Sequence, residues 1–325
     1  MSKVRICFLG TSSFSVTCLK ALVSDEHYEI VGVITQPDRP AGRKMLLTPS
    51  AVKTYCLSEG LRVISPESLK KEAYLLDEIR KWKAEVVVVV AFGQILTEEF
   101  LNIFPLGAVN VHASLLPRWR GAAPIQRSIQ FGDAFTGVSL QKVVKKLDAG
   151  DVLGERRIHL DSNINSLELH DRLAILGTEL LHVEFMDYVR GNLTGLPQNE
   201  QLVTHAAKIS NAESELKPDL TVLKAHNQVR AFVWGPGSFF TFENKKLKIY
   251  QTQIPSGETQ ALLQSVSQKL NSADSHFIFS ERLCFARDLG SLYLNCQDGW
   301  LELLVVQPES KTKMSALDFA RGYLQ

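Results

Sequence analysis

A run of almost continuous valine, from Val86 to Ala91, is the feature that most constrains how this chain can fold. Six successive apolar residues are typical of a strand that is covered on both faces, and such strands occur in parallel sheets. Further strand-like runs lie at Val4 to Leu9, Glu29 to Thr35 and Gly107 to Ala113, and helical segments separate them. This alternation predicts a Rossmann-like α/β domain, in which a mostly parallel sheet has helices on both faces.

The sequence also carries signals for where two helices begin. Ser65 and Pro66 favour an N-cap and a first helical turn, so they predict a helix that starts there. Its apolar face would consist of Leu69, Ala73, Leu76 and Ile79. A longer amphipathic helix is predicted from Leu167 to Val189, with Asn165 before it as the N-cap. Its apolar stripe would consist of Leu173, Leu176, Leu180 and Val183.

The alternation of strands and helices fades after Val189. The polar stretch GNLTGLPQNEQ, which contains glycine and proline, is typical of a linker. Short strand-like runs between turn residues follow at Phe239–Phe242, Leu247–Gln251, Ser291–Asn295 and Trp300–Val306. We therefore predict a first domain over residues 1–189, a linker over 190–207 and a small, OB-like β-barrel domain over 208–325.

The composition excludes several classes of protein. A hydrophobic fraction of 45% and a charged fraction of 22% are ordinary for a soluble globular chain of 325 residues. We expect a cytoplasmic protein, because the sequence shows neither a signal peptide nor an apolar run long enough to cross a bilayer. The five scattered cysteines form no CxxC pair, which argues against a zinc site and a disulfide framework. A net charge of +1 means that any RNA contact must come from a local patch.

Candidate catalytic side chains stand where a predicted strand ends. Asn110 and His112 are two residues apart, so both side chains point to the same face of the strand. Ligand sites of open α/β sheets cluster outside the carboxyl ends of strands, where an amide and an imidazole could stabilise an oxyanion. Asp148, in the glycine-containing run Leu147–Asp151, could orient the imidazole and favour its cationic form.

These three groups fit acyl transfer to an amine. Such a reaction needs an oxyanion stabiliser and a proton shuttle, but no nucleophile from the enzyme. The sequence contains no Gly-x-Ser-x-Gly motif, and no cysteine lies near Asn110, His112 or Asp148. Direct attack by the substrate amine is therefore favoured over a covalent acyl-enzyme.

The segment NVHASLLPRWRGAAPI, followed by LDAGD, closely resembles the signature of the 10-formyltetrahydrofolate-dependent formyltransferases. The start RICFLGTSSFS and residues 36–43 and 88–96 resemble the same family, so the resemblance covers residues 4–189. It implies transfer of a formyl group from 10-formyltetrahydrofolate to an amine, without a metal. It also implies that Asn110 and His112 stabilise the oxyanion and that Asp148 relays the proton.

The same resemblance implies where the folate cosubstrate binds. The segment Ser114, Leu115, Leu116 and Pro117 matches the part of the family that contacts the folate. The pterin ring would enter a cleft bordered by the loop around Leu147 and by the loop containing Phe92, Gly93, Gln94 and Ile95.

A long basic loop, from Asp38 to Ser50, points to the acceptor. Within the family, RWRGAAPIQ resembles the members that act on methionyl-tRNA, and a loop at this place enters the acceptor stem of the initiator tRNA. The tRNA-binding residues that the resemblance implies are Arg39, Arg43, Lys44 and, in a tRNA-binding second domain, Lys208. The loop departs from the family pattern, because the usual Gly-Arg-Gly-Lys-Lys becomes Gly-Arg-Lys-Met-Leu here.

Three alternatives stay open at this point. A related folate transferase acting on a sugar amine or a purine precursor would share the three catalytic residues. A dinucleotide-binding oxidoreductase is less consistent with the sequence, since Gly10–Phe14 lacks the second and third glycines of the phosphate-binding fingerprint. A non-catalytic RNA-binding module would not need the three groups. For the favoured reading we expect a monomer with initiator methionyl-tRNA as its partner and no membrane association.

Overall fold

A computed structural model describes residues 3–42, 45–72, 74–268 and 276–324. Two predicted tRNA contacts, Arg43 and Lys44, and one residue of a predicted helix, Ala73, lie outside the described residues. The chain forms two compact units. The first comprises the residues up to Pro124, Phe135–His159 and His170–Ala206, and the second comprises Ile125–Ala134, Leu160–Leu169 and the residues from Ala207 onward.

The elements up to residue 112 are β1 (Val4–Gly10), α1 (Ser13–Ser24), β2 (Tyr28–Ile34), β3 (Arg39–Ala41), β4 (Leu46–Thr48), α2 (Ala51–Ser58), β5 (Val63–Ile64), α3 (Leu75–Lys81), β6 (Val86–Val90), α4 (Glu98–Leu101) and β7 (Ala108–His112). They are followed by β8 (Arg120–Gly121), α5 (Pro124–Gln130), β9 (Phe135–Lys142), β10 (Val152–His159), α6 (Ser166–His182), α7 (Glu184–Val189) and β11 (His205–Ala206). The remaining elements are α8 (Val222–Phe232), β12 (Ser238–Phe242), β13 (Lys245–Gln253), α9 (Gly257–Gln268), β14 (Phe277–Ser280), β15 (Leu283–Ala286), β16 (Ser291–Cys296), β17 (Gly299–Pro308), β18 (Met314–Ser315) and α10 (Ala316–Tyr323).

The first unit contains a sheet with the strand order β10-β9-β7-β6-β1-β2-β5. Neighbours from β7 to β5 are parallel, whereas β9 is antiparallel to β7 and β10 is antiparallel to β9. The valine run forms β6 between β1 and β7, and Val86, Val87, Val88 and Val90 are fully buried. The predicted Rossmann-like, mostly parallel sheet is therefore confirmed, and its β7 ends at the predicted histidine.

The helix predicted to begin at Ser65 is shorter than expected, because α3 begins only at Leu75. The side-chain amide of Gln94 binds two backbone groups of this segment. It accepts a hydrogen bond from the Leu69 N–H (2.9 Å) and donates one to the Pro66 carbonyl (3.0 Å). A helix initiated at Pro66 would need the same carbonyl for its own ladder. The prediction of a helix start at this proline was wrong.

The long helix predicted from Leu167 to Val189 is divided at Val183, which separates α6 from α7. The predicted cap is present, since the Asn165 side-chain oxygen accepts hydrogen bonds from the N–H groups of Leu167 and Glu168. Val183 is 53% exposed and so does not belong to the apolar stripe, in which Leu173 and Leu180 are fully buried.

The second unit contains an antiparallel half-barrel sheet with the order β12-β13-β17-β16-β15-β14, and β18 pairs with β17. The four strands predicted here correspond to β12, β13, β16 and β17, and the predicted fold class is confirmed. Phe240, Leu247, Leu301 and Phe319 belong to its core. The strands β14 and β15 and the helices α8 and α10 were not predicted.

Across the described ranges, no helix has both the length and the apolar character that spanning a bilayer requires.

Candidate active site

His112 is the last residue of β7 and is only 6% exposed. Its Nε2 lies 2.9 Å from the backbone carbonyl oxygen of Trp119. A carbonyl only accepts hydrogen bonds, so Nε2 carries a proton and donates it. The other ring nitrogen, Nδ1, lies 3.8 Å from Oδ2 of Asp148. Each nitrogen of the imidazole thus faces an oxygen acceptor, and the cationic ring is the form that has a donor for both.

The Asp148 carboxylate is held by two uncharged donors. Oδ2 accepts a hydrogen bond from the backbone N–H of Gly121 at 2.8 Å, and Oδ1 accepts one from Nε2 of Gln141 at 3.2 Å. The Asp148 backbone itself is left-handed, with φ of 49°. A non-glycine residue rarely adopts this conformation and keeps it only where its surroundings stabilise it. The carboxylate is therefore fixed in direction before any substrate arrives.

Asn110 lies two residues before His112 on β7 and is partly buried. Its Cα partner on β9 is Gln141, the residue that donates to Asp148. Within the part of the chain that the structure describes, no other side chain hydrogen-bonds to the Asn110 amide. Polar groups in the interior usually have a partner, so this amide is free to bind one supplied by a substrate. The structure thus brings Asn110, His112 and Asp148 to one end of the sheet.

The predicted folate segment follows β7 directly. The Ser114 side chain is fully buried and donates to the carbonyl of Arg118 at 2.6 Å. The Ser139 hydroxyl donates to the Ser114 carbonyl at 2.7 Å and accepts from the Leu116 N–H at 3.0 Å. Ser114 and Leu116 therefore shape this segment from within, whereas Leu115 and Pro117 are half-buried and offer surface to a ligand.

The second predicted folate loop, residues 92–95, contains residues with different environments. Phe92 belongs to the core of the sheet, and the Gln94 amide is bound to the segment before α3. Gly93 has a φ of 84°, which favours glycine, and Ile95 is 80% exposed. Gly93 and Ile95 are thus the members of this loop with surface available to a ligand.

The predicted tRNA contacts that the structure describes are Arg39 and Lys208, and both are exposed. Arg39 lies on β3, which pairs with β4 in a short hairpin, and forms an exposed ion pair with Glu67 at 2.9 Å. The following strand exposes Leu46 and Leu47. Among described residues, no hydrogen bond or ion pair connects Arg39 to the three catalytic candidates.

Four residues of the site were missed by the sequence analysis: Trp119, Gly121, Gln141 and Gln198. Trp119 and Gly121 act through backbone atoms, which no residue type reveals. Gln141 is a buried polar residue in an apolar strand, and its position opposite Asn110 was the one signal that could have identified it. Gln198 donates to the backbone of the Asp148 loop from 50 residues further along the chain. Among the residues described, no cluster of His, Cys, Asp and Glu could hold a metal ion.

Two family models match the chain. The formyl transferase model covers residues 4–183, and the formyl transferase C-terminal domain model covers residues 208–324. The chain therefore belongs to the formyl transferase family.

Curated relatives narrow the family further. The methionyl-tRNA formyltransferase of Bdellovibrio bacteriovorus is 51% identical over 323 residues, which are 99% of this chain and 97% of that protein. The enzyme of the same name from Nitratidesulfovibrio vulgaris is 37% identical over 99% of this chain and 93% of that protein. At this identity and coverage, the chain falls among the methionyl-tRNA formyltransferases.

Solved structures share the fold. The sugar 3N-formyltransferase WlaRD, determined with dTDP and 5-N-formyl-THF, has a TM-score of 0.64 at 17% identity, over 96% of this chain and 100% of that one. The N-formyltransferase of Helicobacter canadensis, in complex with folinic acid and dTDP-3-aminofucose, has a TM-score of 0.64 at 16% identity, over 94% and 99%. At such low identity, these likenesses establish the fold alone.

Proposed function

We propose that this chain transfers the formyl group of 10-formyltetrahydrofolate to the α-amino group of methionyl-initiator tRNA, for the initiation of translation. The full-length similarity to methionyl-tRNA formyltransferases supports the acceptor. The observation that carries the chemistry is the environment of His112, whose Nε2 is held by a carbonyl and whose Nδ1 faces Asp148 beside a free Asn110 amide.

Asn110 and His112 act on the oxygen of the formyl group. When the amine attacks the formyl carbon, this oxygen becomes an oxyanion, which the Asn110 amide N–H can bind. The Nε2 edge of His112 is occupied by the Trp119 carbonyl, so only the Nδ1 edge can serve the reacting groups. The separation of 3.8 Å from Asp148 is longer than a hydrogen bond, which leaves the Nδ1 proton available to a substrate atom.

Asp148 accepts the proton that the attacking amine must lose. A new N–C bond then forms on methionine while the bond between the formyl carbon and N10 of the folate breaks. His112 donates its Nδ1 proton to N10, and the proton held by Asp148 then passes to Nδ1, so both groups regain their starting protonation states. No covalent bond to the enzyme is needed, because the acceptor amine is itself the nucleophile.

We place the catalytic domain at residues 1–189 and the tRNA-binding domain at residues 208–325. Ser114–Pro117 and residues 92–95 would bind the folate, chiefly through the surfaces of Leu115, Pro117, Gly93 and Ile95. The exposed Arg39 and Lys208, together with Arg43 and Lys44, would contact tRNA phosphates. Such contacts add affinity and salt dependence rather than sequence selectivity.

The test is a formylation assay with the purified full-length chain and 10-formyltetrahydrofolate. Methionyl-initiator tRNA, methionyl-elongator tRNA and an amino-sugar nucleotide are compared as acceptors, with His112→Ala as the inactive control. We expect formylmethionine only from the initiator tRNA. Formylation of the amino sugar alone would refute the proposed acceptor, and equal rates on both tRNAs would refute its selectivity.

A further inference from the structure

Residues 195–206, here called the return segment, run alongside the loop that carries Asp148. Val152, at the end of that loop, exchanges two backbone hydrogen bonds with Leu196, of 2.9 and 2.8 Å. Further along, β11 pairs in parallel with β8. The same pairing places the N–H of Gly121 where it donates to the Asp148 carboxylate. A stretch that the sequence presents as a linker thus packs on the catalytic loop.

Gln198 makes the central contact of this segment. Its Nε2 donates to the backbone carbonyl of Asp148 at 2.9 Å and to that of Gly150 at 2.7 Å. These two carbonyls flank the turn in which Asp148 adopts its left-handed conformation. Such a conformation is unfavourable for a residue other than glycine and persists only where neighbouring groups over-determine it. The Gln198 amide supplies that restraint from outside the loop.

Arg120 fixes the direction of the Gln198 amide. Its Nε and Nη2 both donate to Oε1 of Gln198, at 3.0 and 2.8 Å, so the opposite end of the amide must present its N–H groups to the loop. The Arg120 guanidinium is 1% exposed, and Nη2 also binds Glu200 at 2.9 Å. Glu200 in turn binds Lys146, on the near side of the Asp148 loop, at 2.6 Å. Gln198, Arg120 and Glu200 thus form a continuous set of contacts that meets the Asp148 loop both at Lys146 and at the Asp148 and Gly150 carbonyls.

We propose that Gln198, oriented by Arg120, is a positioning residue that holds Asp148 opposite His112 for formyl transfer. This inference rests on the proposed function for its kinetic consequence. Gln198 contacts the backbone of the loop and the Oε1 of Gln141 at 3.3 Å, and Gln141 itself donates to the Asp148 carboxylate. Gln198 therefore acts through Asp148 and not on substrate. The return segment therefore contributes to the active site by positioning Asp148.

The experiment compares Gln198→Ala, Gln198→Glu and the control Gln201→Ala with the unmodified chain. Gln201 is an exposed glutamine three residues further on, so it receives the same change away from the loop. We expect kcat of Gln198→Ala to fall roughly 10- to 100-fold, since a displacement of about 1 Å can cost 10²-fold. The KM for tRNA should stay within about two-fold, because only a transition-state interaction is lost.

Gln198→Glu keeps the length of the side chain and the contact with Arg120, but it removes both donors to the loop. It should therefore lose kcat as Gln198→Ala does. It should also move the pH–rate profile to higher pH, because an added negative charge favours the protonated forms of neighbouring groups. Because the added charge alone can produce this shift, the loss of kcat at unchanged KM is the result that separates positioning from a role in folding alone.

Amide hydrogen exchange over residues 146–151 gives a readout that does not depend on the acceptor. Exchange should quicken in both Gln198 variants and stay unchanged in Gln201→Ala. Faster exchange in a chain that never formylates methionyl-tRNA would refute the proposed function and leave the positioning role standing. Unchanged exchange or unchanged kcat in an active, folded Gln198→Ala enzyme would overturn the inference, as would a loss confined to KM.

Discussion

Gly150 offers a sharp test of how tightly the catalytic loop is packed against the sheet. A Cβ atom added at this position would lie 1.8 Å from the backbone oxygen of Lys142 and 2.7 Å from its carbonyl carbon. Both atoms belong to β9, so neither can rotate away as the end of a flexible side chain could. In Gly150→Ala the loop must therefore move by roughly 1.5–2 Å before the contact becomes an ordinary van der Waals distance.

The expected effects fall on both turnover and stability. Asp148 is two residues away and its carbonyl shares the Gln198 amide with Gly150, so the carboxylate must move with the loop. A displacement of about 1 Å at a reacting group can lower kcat 10²-fold. Overpacking of this kind typically costs about 1–3 kcal/mol, which corresponds to a Tm lower by roughly 2–12 °C for a domain of this size.

The measurements are kcat for formylation at saturating substrates and Tm by calorimetry. Gly322→Ala is the matched control, because Gly322 lies in α10 with open space around its Cβ position. That change should leave kcat unaltered and should stabilise the chain by up to about 1 kcal/mol, as alanine favours helix over glycine. If Gly150→Ala retained kcat within about three-fold of the unmodified chain, the packing of the loop would not set the position of Asp148.

Three further predictions follow from the site and the core. Asn110→Ala and His112→Ala should each lower kcat about 100-fold or more without weakening tRNA binding in a filter assay, and a loss of affinity equal to the loss of kcat would contradict their role. Burial raises the pKa of the cysteine thiols, and it raises that of Cys56 and of Cys296 to about 11. A thiol reagent at pH 8 should therefore label the native chain slowly and the denatured chain at all five cysteines. Rapid labelling of the native chain would contradict their burial. Hydrogen bonds from Arg120 and Lys146 lower the pKa of Glu200 from 4.5 to about 2, so the stabilising contribution of Glu200 is complete above pH 4.5 and is lost as the pH falls towards 2. The difference in Tm between the unmodified chain and Glu200→Gln should therefore shrink between pH 4.5 and pH 2. A constant difference would show that protonation of Glu200 is not coupled to folding.

The sequence alone was sufficient for much of the sheet because each signal there is local. Continuous apolar residues predicted β6, and the two-residue spacing of Asn110 and His112 predicted a shared face at the end of β7. Their proximity to Asp148 needed more, since it depends on the chain crossing from β7 to the loop after β9. The resemblance to a known family supplied that pairing, and the 3.8 Å separation is consistent with it.

Contacts between distant residues account for what the sequence could not reveal. The N-cap signal at Ser65 did not produce a helix, because the amide of Gln94 binds the backbone of Pro66 and Leu69. Gln94 follows β6 in the chain and is 25 residues away from Leu69. The role of Gln198 likewise depends on the register with which residues 195–206 lie along the catalytic loop. Local propensity contains no information about such a register, so a polar, glycine-containing stretch was indistinguishable from a linker.

The acceptor of the His112 Nε2 proton is a main-chain oxygen, and this has a consequence for how the site tolerates variation. Every amino acid carries this oxygen, so a change of the indole does not by itself remove the acceptor. Because Trp119 is buried and has a φ of 63°, a replacement there acts by displacing the backbone that carries the carbonyl. The opposite edge of the ring depends on a carboxylate that one base change could abolish. Substitution of Asp148 therefore removes the acceptor of the Nδ1 edge outright, whereas substitution of Trp119 can affect the Nε2 edge only through a shift of its carbonyl.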